Sequence, residues 1–193
     1  MISTYGTSLT ARGGWQPALQ DLLQAMLGRQ VEILNQGQPG AASDWGVDNL
    51  SRVLNARPDV VLIEFSINDA AMNRRISQSM SRANHATMID RFRAGLPGVR
   101  LYVQLMNPCW GRPRLMRPRL DAYMSDSART ADAMGVGLID HRPRWDRLDR
   151  AARRAIIPDG LHPDPALAGA AIAGEIATVL QRDIGAIGQS TAR

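Results

Sequence analysis

Lysine is absent from this sequence, although basic residues are common in it. All 23 basic residues are arginine, and with 18 acidic residues the formal net charge is +5. A nucleic-acid-binding protein has little reason to avoid lysine, because lysine also contacts phosphate groups well. The positive charge alone therefore gives no ground for a nucleic-acid partner, and we expect none.

Cysteine and long apolar runs are also scarce. The single cysteine, Cys109, excludes an intramolecular disulfide framework and is expected to be a small buried side chain. No apolar run is long enough to span a bilayer, and the first residues have neither the basic nor the apolar segment of a signal peptide. We expect no membrane span. The chain as it stands is expected to be cytoplasmic, or secreted or periplasmic if a leader was trimmed.

The arginines gather in two segments, 112–119 and 142–154. Runs of like charge usually lie on solvated surface, so we expect these arginines, Arg117 among them, on exposed helix faces. The alternative is an electropositive rim that attracts anionic substrates.

The arrangement of apolar residues is that of an α/β protein. The length of 193 residues and the apolar content of 45% favour one domain, over residues 1–185, with a frayed tail at 186–193. Short β-branched runs predict strands at 2–5, 31–34, 59–65, 99–105 and 136–140. Helical spacing predicts helices over 14–27, 43–54, 73–95, 119–134, 143–156 and 165–183. This alternation predicts a parallel sheet with helices on both faces and ligands at the carboxyl ends of its strands.

Ser8 follows the first predicted strand and either caps the next helix or acts as a nucleophile. A serine nucleophile needs a base, and the chain has 3 histidines. His85 lies in a polar helical stretch and is expected at the surface, whereas His141 is expected to be structural or exposed. His162 follows Asp159 by three residues in a proline-bounded turn, where the carboxylate could hold Nδ1–H and leave Nε2 for the Ser8 proton. The alternative is that Asp159 only caps this turn and His162 is merely exposed.

Acyl transfer also needs hydrogen-bond donors aimed at the developing oxyanion. Three candidates follow predicted strands: the backbone N–H of Ser8, the backbone N–H of Gly40 and the side-chain amide of Asn68. The alternative for Gly40 is a plain turn glycine, and the alternative for Asn68 is a helix cap or turn residue.

Four short segments together resemble the SGNH hydrolases, also called the GDSL esterase/lipase family. They are GTSL at 6–9, NQGQPG at 35–40, SIND at 66–69 and DGLH at 159–162. The resemblance implies a triad of Ser8, His162 and Asp159. It also implies an oxyanion hole of Ser8, Gly40 and Asn68, and a three-layer α/β/α sandwich whose five-stranded parallel sheet has the flavodoxin-like order 2-1-3-4-5. The implied reaction is hydrolysis of an ester, thioester or amide through an acyl-enzyme.

Two positions depart from the pattern of that family. Thr7 stands where the family usually has aspartate, which affects the local turn geometry more than the chemistry. Ser66 stands where the family usually has glycine, so its side chain narrows the site or hydrogen-bonds to its own loop. Both are weak candidates for substrate contact, as are Met106 and Trp110 after the fourth strand. Core packing or loop anchoring is the alternative for the last two.

The expected function is that of a serine esterase for small acyl esters, with acetyl esters of carbohydrates first among them. The short chain leaves little room for a lid. The alternatives are an acyltransferase that uses the same acyl-enzyme and a catalytically weak carbohydrate-binding module of the same fold. No cofactor or metal is expected, because the sequence shows neither metal-ligand spacing nor a glycine-rich phosphate loop. The expected partner is a small-molecule ester, an acetylated saccharide among the candidates, and the oligomeric state stays open.

Overall fold

The structure is a computed structural model that describes residues 1–190. Within this range five strands form one sheet: β1 (Ile2–Gly6), β2 (Ile33–Asn35), β3 (Val60–Glu64), β4 (Arg100–Leu105) and β5 (Gly137–Asp140). Their order is β2-β1-β3-β4-β5, and all neighbouring strands are parallel. The predicted α/β class and the strand order are confirmed, with small shifts at the strand ends. β1 and β3 are the central pair, and both are buried along their whole length.

Helices cover both faces of this sheet. They are α1 (Ser8–Ala11), α2 (Gln16–Leu27), α3 (Ser43–Asp48), α4 (Ser51–Ala56), α5 (Ser66–Asp69), α6 (Gln78–Gly95), α7 (Gly111–Leu115), α8 (Leu120–Ala133), α9 (Arg142–Asp146), α10 (Arg150–Ile156) and α11 (Pro165–Ser190). α2 pairs with α11 on one face, whereas α6 packs between α3 and α8 on the other. Gly14 touches the start of α11 so closely that a Cβ there would lie 2.3 Å from the Cβ of Pro165.

The predicted tail at 186–193 includes residues 191–193, which lie outside the described residues, so the tail stays a prediction. No helix within residues 1–190 combines the length and the apolar character needed to cross a membrane.

Two predicted helices are each split in two. The helix expected over 43–54 breaks between α3 and α4, where the Asn49 side chain donates to the carbonyl oxygen of Trp45 at 2.9 Å and competes with the helical bonds. The helix expected over 143–156 breaks before α10, because Asp149 caps α10 and accepts a backbone N–H of its first turn at 2.8 Å. In both cases a short polar side chain ends one helix or starts the next.

The prediction that His85 is exposed is wrong. α6 begins at Gln78 rather than at residue 73, and His85 lies on its buried face with Ser81 and Met88. Nδ1 of His85 donates to the carbonyl oxygen of Ser81 at 2.8 Å. Arg82 in the same stretch is exposed and Asn84 is half-buried, because a helix turns residues that are close in sequence to different faces.

His141 has the structural role that was one of its two expected roles. It is buried after β5, and its Nδ1 lies 2.6 Å from Oε2 of Glu175 on α11. Its Nε2 lies 3.0 Å from Nε2 of Gln104 on β4. His141 therefore connects the sheet edge to α11. Cys109, between β4 and α7, is buried as expected, and burial raises the pKa of its thiol.

Candidate active site

The turn between β1 and α1 places Ser8 at the carboxyl edge of the sheet. β1 ends at Gly6, and Thr7 caps α1 by accepting the N–H of Leu9 at 3.2 Å. A Cβ on Gly6 would lie 2.5 Å from the carbonyl oxygen of Glu64, so only glycine fits between the two central strands here. Ser8 is the first residue of α1, and its backbone N–H is among the donors that a helix start leaves without a helical partner.

Ser8 and His162, which are 154 residues apart, meet at this edge of the sheet. Ser8 Oγ lies 2.8 Å from His162 Nε2, and His162 Nδ1 lies 2.6 Å from Asp159 Oδ2. Oδ1 of Asp159 accepts the backbone N–H groups of Leu161 at 2.8 Å and His162 at 2.7 Å. The three side chains thus form one hydrogen-bonded chain in the order hydroxyl, imidazole, carboxylate.

The carboxylate of Asp159 is ionised at neutral pH. Burial raises the pKa of Asp159, but hydrogen bonds from His162 and Leu161 lower it by more, so the net shift is downward from the ordinary value. An ionised carboxylate at Nδ1 holds the proton on that nitrogen and leaves Nε2 as an acceptor towards Ser8. The side chain of His162 is 23% exposed, so solvent and small molecules reach it.

The turn before His162 is held in place by the segment after β4. Trp110 donates its backbone N–H to the carbonyl oxygen of Gly160 at 3.0 Å, and Asn107 Nδ2 donates to the carbonyl oxygen of Leu161 at 2.8 Å. Gly160 has a φ of +78°, and a Cβ there would lie 2.5 Å from the carbonyl oxygen of Trp110. The contacts of Trp110 are those of a loop anchor, which was the alternative to a role in lining the pocket.

The segments that carry Gly40 and Asn68 meet beside the serine turn. Gln38 donates its backbone N–H to the carbonyl oxygen of Gly6 at 2.8 Å, and Asn68 Nδ2 donates to the carbonyl oxygen of Ala41 at 2.8 Å. Gly40 has a φ of +79°, which glycine adopts at little cost. A carboxamide has two N–H donors, so the contact with Ala41 leaves one donor of Asn68 for a ligand.

Thr7 and Ser66 form hydrogen bonds inside the protein, and a contact of either with substrate stays a prediction. Thr7 is fully buried, and its hydroxyl donates to Oε2 of Glu64 at 2.7 Å. Ser66 is also buried, and its Oγ lies 2.7 Å from Oγ of Ser127 on α8. The hydroxyl of Ser66 thus reaches a neighbouring helix and not its own loop, because the buried face of α8 packs directly against α5.

A narrow cleft adjoins Ser8 and His162. Met106, a predicted contact, lines this cleft together with other apolar side chains, among them Leu9, Trp15 and Ile172. The volume open to a water-sized sphere is about 10 Å³, which is roughly the space that one water molecule needs. The enclosed part of the cleft therefore has room only for a small group.

Glu64 lies under the serine turn, and sequence reasoning missed it. It ends β3, is fully buried, and its Oε2 accepts the N–H of Thr7 at 3.0 Å and the hydroxyl of Thr10 at 3.1 Å, besides the Thr7 hydroxyl. Burial raises its pKa to about 7, more than these hydrogen bonds lower it. A carboxyl group at the end of the most apolar run in the sequence was the signal that could have identified it.

The raised pKa of Glu64 predicts how stability depends on pH. In the unfolded chain Glu64 titrates near 4.5, so between pH 4.5 and 7 the folded state holds a proton that the unfolded state has lost. The contribution of Glu64 to the free energy of unfolding is therefore greatest at low pH. It falls by roughly 3 kcal/mol as the pH rises to 7 and above. In Glu64→Gln this loss is absent. The free energy of unfolding, measured with urea, should therefore decline less between pH 5 and pH 8 in this variant than in the wild type.

Glu32→Gln, at an exposed glutamate, is the matched control for that experiment. It should follow the wild-type pH dependence. A Glu64→Gln variant that also follows the wild type would show that Glu64 has the same pKa in both states.

Arg117 was expected on exposed surface, and this prediction is wrong. It is 8% exposed, and its Nε donates to the carbonyl oxygen of Ile67 at 2.7 Å while its Nη2 donates to Oδ1 of Asn68 at 3.0 Å. Arg112 and Arg119, from the same arginine-rich segment, are exposed as predicted. No local sequence signal separates the three, because the burial of Arg117 results from the packing of this segment against α5.

No three His, Cys, Asp or Glu side chains converge as a metal site in the part of the chain that the structure describes. The reactive groups that the structure brings together at the edge of the sheet are the serine, the imidazole and the carboxylate, with N–H donors around them.

The model of the GDSL-like Lipase/Acylhydrolase family matches residues 3–169 of this chain. No curated protein matches this chain. Among solved structures, a lipase/acylhydrolase from Enterococcus faecalis is 27% identical, with 92% of this chain and 95% of that chain covered and a TM-score of 0.75.

Two further solved structures share the fold at lower identity. A variant of an acetyl xylan esterase from Geobacillus stearothermophilus is 19% identical, with 95% of this chain and 94% of that chain covered and a TM-score of 0.74. A psychrotrophic esterase from Pseudoalteromonas sp. is 21% identical, with 95% of this chain and 98% of that chain covered and a TM-score of 0.72.

Proposed function

This chain belongs to the GDSL-like lipase/acylhydrolase family and is a carboxylic ester hydrolase, and we propose that it is a serine esterase for small acyl esters. Ser8 is the nucleophile, His162 the general base and acid, and Asp159 the carboxylate that orients His162. The observation that carries this proposal is the hydrogen-bonded chain of 2.8 Å and 2.6 Å from Ser8 through His162 to Asp159.

The first half of the reaction forms an acyl-enzyme. Ser8 Oγ attacks the acyl carbon, and its proton passes to Nε2 of His162 while Nδ1–H stays bonded to Asp159. The developing oxyanion accepts hydrogen bonds from the backbone N–H groups of Ser8 and Gly40 and from the free N–H of Asn68. The ester C–O bond then breaks, and the proton on Nε2 passes to the departing alkoxide.

The second half of the reaction regenerates the serine. A water molecule gives a proton to Nε2 of His162 as its oxygen attacks the acyl carbon. The same N–H donors hold the second oxyanion. When the bond to Ser8 Oγ breaks, the proton on Nε2 returns to that oxygen and the carboxylic acid leaves. Imidazole thus acts as a base and then as an acid in each half.

The shape of the site supports a small acyl group and a larger polar alcohol. The cleft beside Ser8 has room for little more than a methyl group, whereas Asp159 is 53% exposed at the opposite end of the triad. An alcohol as bulky as a sugar can therefore extend into solvent while an acetyl group occupies the cleft. The acetyl xylan esterase among the structures of the same fold is in keeping with this substrate class.

We expect hydrolysis of p-nitrophenyl esters to decline as the acyl chain lengthens. The value of kcat/KM should fall roughly tenfold or more from the acetate to the octanoate, because each added methylene must enter a cleft without room for it. The rates are measured against spontaneous hydrolysis in buffer, and release of acetate from acetylated xylo-oligosaccharides is measured in parallel. A maximum at long chains contradicts the acyl-size proposal, and a folded protein that hydrolyses none of these esters contradicts the esterase proposal.

The same assay separates hydrolysis from acyl transfer. An alcohol or a sugar added as acceptor competes with water for the acyl-enzyme. The product should remain mainly acetic acid for a hydrolase, whereas the ester of the added acceptor should predominate for an acyltransferase.

A further inference from the structure

Arg117 is a buried cation whose hydrogen bonds to other described residues all go to neutral groups. Besides the carbonyl oxygen of Ile67 and Oδ1 of Asn68, its Nη1 donates to the carbonyl oxygen of Pro113 at 3.3 Å. No carboxylate among the described residues is within ion-pair distance of it. Burial lowers the pKa of Arg117, and the charge of the nearby Arg74 lowers it further. Burying an unpaired charge is costly. Such a group therefore requires an explanation.

The contact with Asn68 determines which way its carboxamide faces. Arg117 can only donate, so it selects the carboxamide oxygen, and the carbonyl oxygen of Ala41 can only accept, so it selects the nitrogen. A rotation of the carboxamide by 180° would place donor against donor at Arg117 and acceptor against acceptor at Ala41. One N–H of Asn68 thus donates to Ala41, and the contacts with Arg117 and Ala41 together fix the direction of the other N–H.

The charge of Arg117 also acts on the amide itself. A hydrogen bond from a guanidinium to the carboxamide oxygen draws electron density towards that oxygen, which strengthens the N–H groups on the other side as donors. Burial lowers the pKa of Arg117, yet a guanidinium stays protonated in proteins. The positive charge therefore lies permanently one amide away from the place where negative charge develops.

We propose that Arg117 is a positioning residue of the oxyanion hole, which holds the Asn68 amide with its free N–H towards the oxyanion and strengthens that donor. This inference rests on the proposed function, because it concerns the role of Asn68 in it. Donors fixed before the reaction stabilise the transition state more than the bound substrate. The effect of losing Arg117 should accordingly fall on kcat and not on KM.

The first test compares Arg117→Met, Arg117→Lys and the wild type with p-nitrophenyl acetate. For Arg117→Met kcat should fall roughly 10-fold to 100-fold, less than the loss of a whole oxyanion donor, while KM changes no more than about 3-fold. Arg117→Lys keeps a charge but loses the planar, forked guanidinium. Its kcat should therefore lie between that of the wild type and that of Arg117→Met. Arg112→Met, at an exposed arginine on α7, is the control and should keep the wild-type kcat.

The second test repeats both substitutions in the Asn68→Ala protein. If Arg117 acts through Asn68, its loss should cost no more than about 3-fold once the amide is gone, because the two losses are then not additive. A purely structural role would give the same loss in both backgrounds and overturns the proposal. Where Arg117→Met fails to fold, as circular dichroism would show, Arg117→Lys provides the same comparison.

The failure of this inference can be told apart from the failure of the proposed function. A loss in Asn68→Ala together with an unchanged kcat in Arg117→Met and Arg117→Lys overturns the role of Arg117 alone. An unchanged kcat in Asn68→Ala overturns the oxyanion role of Asn68 and the role of Arg117 together. A kcat/KM in Ser8→Ala equal to that of the wild type rejects the serine mechanism, and with it both roles.

Discussion

Replacing Ser8 with alanine lowers kcat/KM for p-nitrophenyl acetate by roughly ten-thousand-fold or more. The hydroxyl at 2.8 Å from Nε2 of His162 is the nucleophile of the proposed mechanism, and alanine has no group that could form the covalent bond to the acyl carbon. The fold should be unaffected, because Thr7 and not Ser8 caps α1 with its side chain. The measurement is steady-state hydrolysis of the ester, with circular dichroism to show that the variant is folded.

Ser79→Ala is the matched control, since Ser79 is an exposed serine on α6. It should hydrolyse the ester at the wild-type rate. The serine mechanism is rejected if Ser8→Ala and Ser79→Ala have equal rates. The residual rate of Ser8→Ala is informative as well, because an intact oxyanion hole still accelerates attack by water above the rate in buffer.

Asn68→Ala should lower kcat by roughly 100-fold to 1000-fold, the usual cost of losing one donor of an oxyanion hole. Ala41 and Arg117 already orient the amide in the free protein, so the reaction requires no free energy for ordering it. KM should change much less than kcat, because the ground-state carbonyl oxygen needs this donor less than the oxyanion does. The measurement is a full saturation curve with p-nitrophenyl acetate.

Asn55→Ala tests whether an asparagine lost elsewhere has the same effect, because Asn55 is exposed on α4. Its kcat should equal that of the wild type. An Asn68→Ala protein whose KM rises while its kcat is unchanged would show that Asn68 binds substrate rather than stabilising the transition state.

The strands of the sheet and the contact between Asp159 and His162 could be predicted because their signals in the sequence are local. Apolar β-branched runs mark strands buried on both faces, and β3 is the clearest of them. Asp159 and His162 are three residues apart in one turn, so their contact needs little from the rest of the fold. The contact of Ser8 with this turn was implied only by the resemblance to the SGNH hydrolases, because the turn follows α10 and not a strand.

The buried polar residues could not be predicted, because their surroundings come from segments far apart in the sequence. Arg117 and Arg119 look alike in the sequence, yet packing against α5 buries the first and leaves the second exposed. His85 has polar neighbours in the sequence, yet it lies on the buried face of α6. The hydroxyl of Ser66 finds its partner on α8, which no spacing within the SIND segment could show.

The separation of Ser8 and His162 along the chain has a consequence for biosynthesis. Ser8 leaves the ribosome while the residues of β3, which completes the central pair with β1, are still untranslated. His162 follows 154 residues after Ser8, and the contact of Gly14 with Pro165 closes only when α11 has begun to form. Because domains fold largely as units and long-range contacts form late, a nascent chain should have no esterase activity until the residues up to the start of α11 have been made and have left the ribosome. The first turnover of a newly made molecule would then mark the completion of its fold.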